Sequence, residues 1–206
     1  MLALEPSAMR APDNASDTTK IAPNGAHLAA ALYRLRTANP EEDTYAEVAA
    51  NAAALTDIRE VTVDLDQRRE LLTLEARLGR GPSLPARALS DGTLRFLALC
   101  IIEVDPEFAG VICMEEPENG IHPGRMEAMV DLVRGLAVDP ESPPDRTNPL
   151  RQVIVNTHSP YFVAFQHPDD LLLAVPADVK GGADGLSRTT VRLLPLDGSW
   201  RAAIRN

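Results

Sequence analysis

The sequence predicts an α/β fold in which parallel core strands are flanked by helices and accompanied by an antiparallel hairpin. Three observations predict it. Two short apolar runs, within 110–114 and 152–156, are bounded by turn or polar residues, as buried parallel strands are. Segments with helical apolar spacing lie between and before them. Val61, Val63 and Leu65, then Leu72, Leu74 and Ala76, alternate with polar residues on either side of Gln67–Glu70, which is a hairpin pattern.

In chain order, residues 1–24 form a polar, loop-rich lead-in, with Pro, Asp, Ser, Asn and Thr crowded into 5–24. Residues 25–206 hold the α/β portion. Leu28, Ala31, Leu32 and Leu35 share one helical face. Residues 41–58 open with acids at the positive end of a second helix, with Tyr45, Val48, Ala49, Ala52 and Leu55 recurring on one face. Asp64 and Asp66 mimic a metal-binding pair in spacing, but a solvated strand face beside a turn is the reading we adopt. Ser90 caps a helix through Val104 that is apolar almost all round and therefore buried. A strand at 110–114, a loop at 116–123 and a helix from about 124 to 137 follow. Residues 138–150 are a proline-rich surface loop. The strand 152–156 runs into Thr157-His158-Ser159-Pro160, where Ser-Pro opens another helix. Strands near 171–175 and 190–194 flank a glycine-rich turn at 181–185.

The chain has 206 residues and a formal charge of −10, and only Lys20 and Lys180 are lysines. That balance argues against a broad phosphate-binding surface and leaves nucleic acid to a local arginine patch or an absent segment. No apolar run approaches membrane-spanning length, so no membrane partner and a cytoplasmic location are expected. Cys100 and Cys113 sit in apolar runs and read as small buried hydrophobes.

The segment Val111-Ile-Cys-Met-Glu-Glu-Pro117 carries the chemistry. Two adjacent carboxylates at the end of a buried strand are costly to desolvate unless a cation or a reacting water uses them. Ligand sites in open α/β sheets lie at such carboxyl ends.

Three features stand in order: Leu89-Ser-Asp-Gly-Thr93 opening a buried helix, the strand ending in Glu115-Glu116, and the strand ending in Asn156-Thr-His158. Together they resemble the C-terminal half of an ABC-type ATPase of the AAA, SMC and RecF-like group, a P-loop NTPase fold. The resemblance covers roughly 60–165. It implies that Ser90, Asp91, Gly92 and Thr93 form the signature loop, which touches the γ-phosphate of ATP held by another subunit. A helix N-terminus suits a phosphate, and Gly92 permits close backbone approach. Asp91 stands where many such proteins have glycine, and Thr93 where they often have glutamine; the Asp91 carboxylate is expected to point away from phosphate or to tune the site. The resemblance also implies that Glu115, in the Walker B place usually held by aspartate, holds Mg2+ through water. Glu116 would be the general base or orient the water, and His158 would sense the γ-phosphate. His122 and Asn119 fall in the loop that crosses the dimer interface.

The chain contains no Gly-Lys pair, so the phosphate loop of a complete ATPase is missing. It therefore reads as the second half only, needing a phosphate-loop segment or a second ATPase subunit, with a homo- or heterodimer forming on ATP binding. Core strands without neighbours should then expose apolar surface unless a partner covers it. Two other functions compete. One is a non-catalytic regulatory module that pairs with a full-length ATPase. The other is the ATPase part of a nuclease-coupled repair or defence system of the OLD type, whose nuclease would have to come from a partner.

Overall fold

The computed structural model describes residues 2, 4–16, 19–119, 121–180 and 187–203. The turn expected at 181–185 lies outside these. Two compact units divide the chain, 1–159 and 160–206.

The first unit is layered around α4 (Asp91–Val104). Nine of its side chains are buried, Thr93, Leu94 and the run Phe96–Ile102. This is why its sequence shows no polar face. α2 (Leu28–Ala38), α3 (Thr44–Leu55) and α5 (Met126–Leu136) pack around it. Asp43 caps α3 by accepting the Ala46 N–H. The cap of α2 comes from far away in sequence. Asp13 accepts the Ala30 N–H at 3.0 Å with one oxygen and meets His27 Nδ1 at 3.0 Å with the other.

Asp13 belongs to the lead-in, which is more than a surface loop. α1 (Pro6–Met9) buries Met9, and β1 (Asp13–Asn14) pairs with the hairpin. Ile21 is buried as well. The hairpin joins β2 (Ile58–Asp66) to β3 (Leu71–Leu78) in the register Val61↔Ala76, Val63↔Leu74, Leu65↔Leu72. Val61, Leu72, Leu74 and Ala76 turn inward, as the alternation predicts. β4 (Ser83–Pro85) adds to β3. Asp66 accepts the N–H groups of Arg68 and Arg69, so it closes the hairpin turn.

β5 (Gly110–Glu115) and β6 (Arg151–Asn156) form the parallel pair, with Glu115 level with Asn156. Here the burial expected from the apolar runs needs correction. Ile112 is fully buried, but Val111 is 51% and Ile154 52% exposed. Both runs are strands, yet one face is covered and the other is open. Among the described residues this sheet has two strands only. Exposed apolar surface is what core strands without neighbours are expected to show, and Val111 and Ile154 supply some of it. Cys113 is likewise only part-buried, whereas Cys100 is buried and its thiol is pushed up to about 12 by that burial; both are free.

The sheet is tied to α4 by Arg151, which is 4% exposed. Its guanidinium donates to the carbonyls of Ile102 and Glu103 at 2.8 and 3.1 Å. These are carbonyls of the last turn of α4, where Ile102 also accepts the Asp105 N–H at 3.3 Å. Nearby, Arg34 meets the buried Asp105 at 2.6 Å.

In the second unit, α6 (Pro160–Ala164) precedes a long hairpin of β7 (Leu172–Lys180) and β8 (Ser187–Pro195), and α7 (Trp200–Ala203) follows. Both strands extend beyond the ranges read from sequence, because hairpin pairing continues through residues with weak apolar signal.

Candidate active site

β5 and β6 run side by side and end at the same level, so whatever leaves their C-terminal ends is brought together. β5 ends in Glu115 and the chain turns at Glu116, whose φ is +45°. A non-glycine residue in that region costs about 1 kcal/mol and persists only where its surroundings hold it. Here Pro117 follows, and the Glu116 N–H donates to the Asn156 carbonyl at 2.8 Å, carrying the sheet pairing one residue past the strand.

The turn aims the Glu116 side chain at the loop after β6. Its Oε1 lies 2.6 Å from His158 Nδ1, and its Oε2 accepts from Asn119 Nδ2 at 2.7 Å. The two groups expected to do the chemistry are thus in direct contact. A carboxylate only accepts, so Nδ1 carries the hydrogen in this contact. Nε2 is left for a second partner, as acceptor in the neutral ring and as donor in the imidazolium. The histidine side chain is 84% exposed, and Glu116 is 28% exposed. Asn119, expected at a dimer interface, has its amide committed to Glu116 within the chain. His122 is exposed and accepts the Gly124 N–H at 3.1 Å, starting the short turn before α5.

Glu115 is exposed, and its side chain makes no hydrogen bond or ion pair with the described residues. No group of three or more His, Cys, Asp or Glu among the described residues could hold a metal by itself. A magnesium ion needs no such cage. It keeps several waters and takes one or two carboxylates together with phosphate oxygens. The free Glu115 carboxylate fits that use; a site built wholly from this chain does not.

The acid pair opens on a groove of about 560 Å³, lined among others by Gly92, Arg95, Phe96, Cys113, Glu115, Glu116, Asn119 and Ile154. Arg95 was not singled out by sequence. It is exposed on α4 and has no ion-pair partner among the described residues. Its helical position alone distinguishes it from other surface arginines too weakly to be noticed.

At the start of α4, Ser90 Oγ accepts the Thr93 N–H at 3.2 Å and lies 2.8 Å from Thr93 Oγ1. The N–H groups of Asp91 and Gly92 have no intrahelical acceptor. The Asp91 carboxylate is drawn to Arg10, at 2.6 Å, and the same guanidinium nitrogen donates to the Leu89 carbonyl at 2.9 Å. Arg10 is a second residue that sequence reading missed, since it comes from the lead-in.

These features, an acid pair and a histidine at neighbouring parallel strand ends with a capped helix N-terminus, are those of an AAA/ABC-type ATPase domain. A family described as "AAA domain, putative AbiEii toxin, Type IV TA system" matches residues 3–164, and the chain belongs to that family. Comparison with curated proteins gives no match. Solved structures of SMC head domains are similar to it in fold. One, from work on ATP-driven dimerization and DNA-stimulated activation of SMC ATPases, is 15% identical with a TM-score of 0.43, over 83% of this chain and 93% of that one. The Smc head with an extended coiled coil bound to the C-terminal domain of ScpA, from Pyrococcus furiosus, is 14% identical with a TM-score of 0.46. That likeness covers 84% of this chain and 39% of the other. The Smc head with a coiled coil and joint, from Pyrococcus yayanosii, is 14% identical with a TM-score of 0.44, over 74% of this chain and 27% of that one. The chain thus spans less than half the length of the two Pyrococcus proteins.

Proposed function

We propose that the chain supplies the water-activating and γ-phosphate-sensing half of a composite ATP site, whose phosphate loop is provided by another segment or subunit. The observation that carries this reading is the contact between Glu116 and His158, two residues delivered by separate strands to one point beside an open groove. Glu116 would accept the proton of the attacking water, or orient that water, once its carboxylate is released from part of its present bonding. His158 Nε2 would reach the γ-phosphate while Nδ1 remains on Glu116. Glu115 would take the magnesium shell. Bound magnesium would neutralise charge on the β- and γ-phosphates. The capped N-terminus of α4, with Ser90, Asp91, Gly92 and Thr93, would face the nucleotide of the opposing subunit in a head-to-tail dimer. Arg10 would keep the Asp91 carboxylate off that phosphate. We assign the protein to the cytoplasm on the same reading; among the described residues no helix is long and apolar enough to cross a membrane.

The test is turnover in a complex with a phosphate-loop partner. Glu116→Gln should reduce ATP hydrolysis by about 100-fold or more while Mg-ATP still binds. Unchanged turnover would remove Glu116 from the mechanism.

One observation favours a second reading. The sequence has no Gly-Lys pair, so the chain could join a complete ATPase as a non-catalytic regulatory module. Titration of the purified chain with Mg-ATP separates the two. Measurable affinity of the chain alone counts against the regulatory reading.

A further inference from the structure

We infer that Glu118 is a positioning residue, which sets the place of His158 by gripping Thr157. The inference rests on the catalytic reading of Glu116 and His158, though its test does not. Glu118 is only 8% exposed, an unusual place for a carboxylate two residues beyond a surface acid pair. Its Oε1 accepts the hydroxyl hydrogen of Thr157. Thr157 Oγ1 in turn accepts the Ser159 N–H at 3.0 Å. The hydroxyl therefore gives its one hydrogen to Glu118 and takes one from Ser159. His158 lies between these two anchored residues, so its backbone is held from both sides although its ring is exposed.

The grip also acts on the other loop. Glu118 is separated from Glu116 by Pro117 alone, and the turn is closed by Asn119 N–H to the Glu116 carbonyl and Ile121 N–H to the Glu118 carbonyl, both 3.0 Å. Glu116 holds a positive φ that its surroundings must enforce. Besides the Glu116–His158 contact, two further ties between the loops are seen among the described residues. One is the backbone bond from Glu116 to Asn156; the other is Glu118 to Thr157. The second reaches Thr157, directly beside His158. Glu118 Oε2 is buried and has no hydrogen-bond partner among the described residues. Burying a carboxylate with one oxygen unanswered is unfavourable, so its retention here calls for a role beyond filling space. Holding two catalytic loops in register is such a role.

The experiment uses the nucleotide-free chain, labelled with 15N at histidine, and compares Thr157→Val, Thr157→Ser and Glu118→Ala with the parent. His158→Gln assigns the His158 signals. The readouts are the 15Nδ1 shift of His158 with the exchange rate of its Nδ1 hydrogen, and separately the urea midpoint. The expected result is that Thr157→Val speeds Nδ1 hydrogen exchange by about tenfold, with cooperative unfolding retained. Thr157→Ser, which keeps the hydroxyl, should restore parent behaviour. Glu118→Ala should match Thr157→Val if it folds; the valine and serine pair decides the matter if it does not. A Thr157→Val chain with parent His158 signals would overturn the proposal. So would a serine variant that behaves like valine. No ATP turnover is involved, so failure here leaves the Glu116→Gln result untouched, and the reverse also holds.

Discussion

His158 Nδ1 and Glu116 Oε1 stand 2.6 Å apart, and each residue lies just beyond the end of a different strand of one parallel pair. The pairing of Glu115 with Asn156 brings the two strand ends level, so this contact is set by sheet register. A shift of register by one residue would turn one of the two loops away from the other.

The cap of α4 can be separated from any role at phosphate. Ser90→Ala should lower stability by about 1 kcal/mol, read as a shift in urea midpoint at unchanged slope. Ser90→Asp keeps a capping oxygen and should hold stability near the parent, yet place negative charge where the γ-phosphate is proposed to lie. In the assembled ATPase that variant should lose turnover. Full activity with aspartate at this position would place Ser90 outside the nucleotide site.

Arg151 should matter more to stability than any exposed ion pair. Arg151→Met preserves much of the stem volume but removes the buried guanidinium's bonds to the carbonyls of Ile102 and Glu103. A loss of about 2 kcal/mol or more is expected. Arg77→Met, at an exposed pair with Glu60, should cost less than about 1 kcal/mol. Equal losses in urea unfolding would contradict the buried role.

Glu103 predicts a pH dependence. Burial pushes its carboxyl above the ordinary 4.5, against the opposing effects of the Asn51 amide and the Arg151 charge. The folded state then binds the proton more tightly than the unfolded state. This contribution to stability is full below about pH 4.5 and is lost as pH rises through the elevated folded value. Glu103→Gln keeps an acceptor for Asn51 and removes the titration. It should flatten the decline of stability over that window and unfold at higher urea at pH 7. An unchanged pH profile would show that the carboxyl is effectively solvated.

The open face of β5 and β6 predicts self-association of the isolated chain. Val111→Thr with Ile154→Thr should reduce it without loss of folding, because threonine suits a strand and tolerates water. Sedimentation velocity reads the outcome. A parent chain that stays monomeric at high concentration would show that the face needs no cover.

Much of the fold was legible because it is written in local pattern. The alternation at Val61–Leu65 and Leu72–Ala76 gave the hairpin and its inward face. Ser90 before an apolar run gave a capped helix, and the acid pair after Met114 gave a strand end. What was not legible depends on residues far apart in sequence. Arg10 meeting Asp91, Asp13 capping α2, and Glu118 gripping Thr157 leave no periodic trace. The openness of Val111 and Ile154 cannot be read from the apolar runs themselves; the missing Gly-Lys pair points to exposed core strands, not to these residues. An apolar run reports what a strand is built to bury against, and says nothing of whether this chain provides it. The positive φ of Glu116 was equally unreadable, since nothing about glutamate before proline announces it.

The central claim is that Glu116 and His158 act as one unit on the water and the γ-phosphate. A double-mutant cycle on ATP turnover by the complex with a phosphate-loop partner tests it most directly, using Glu116→Gln, His158→Ala and the pair together. Groups that act as a unit are strongly non-additive, so the double variant should be no slower than Glu116→Gln alone. Losses that simply multiply would mean that the two residues act independently, and the account would fail.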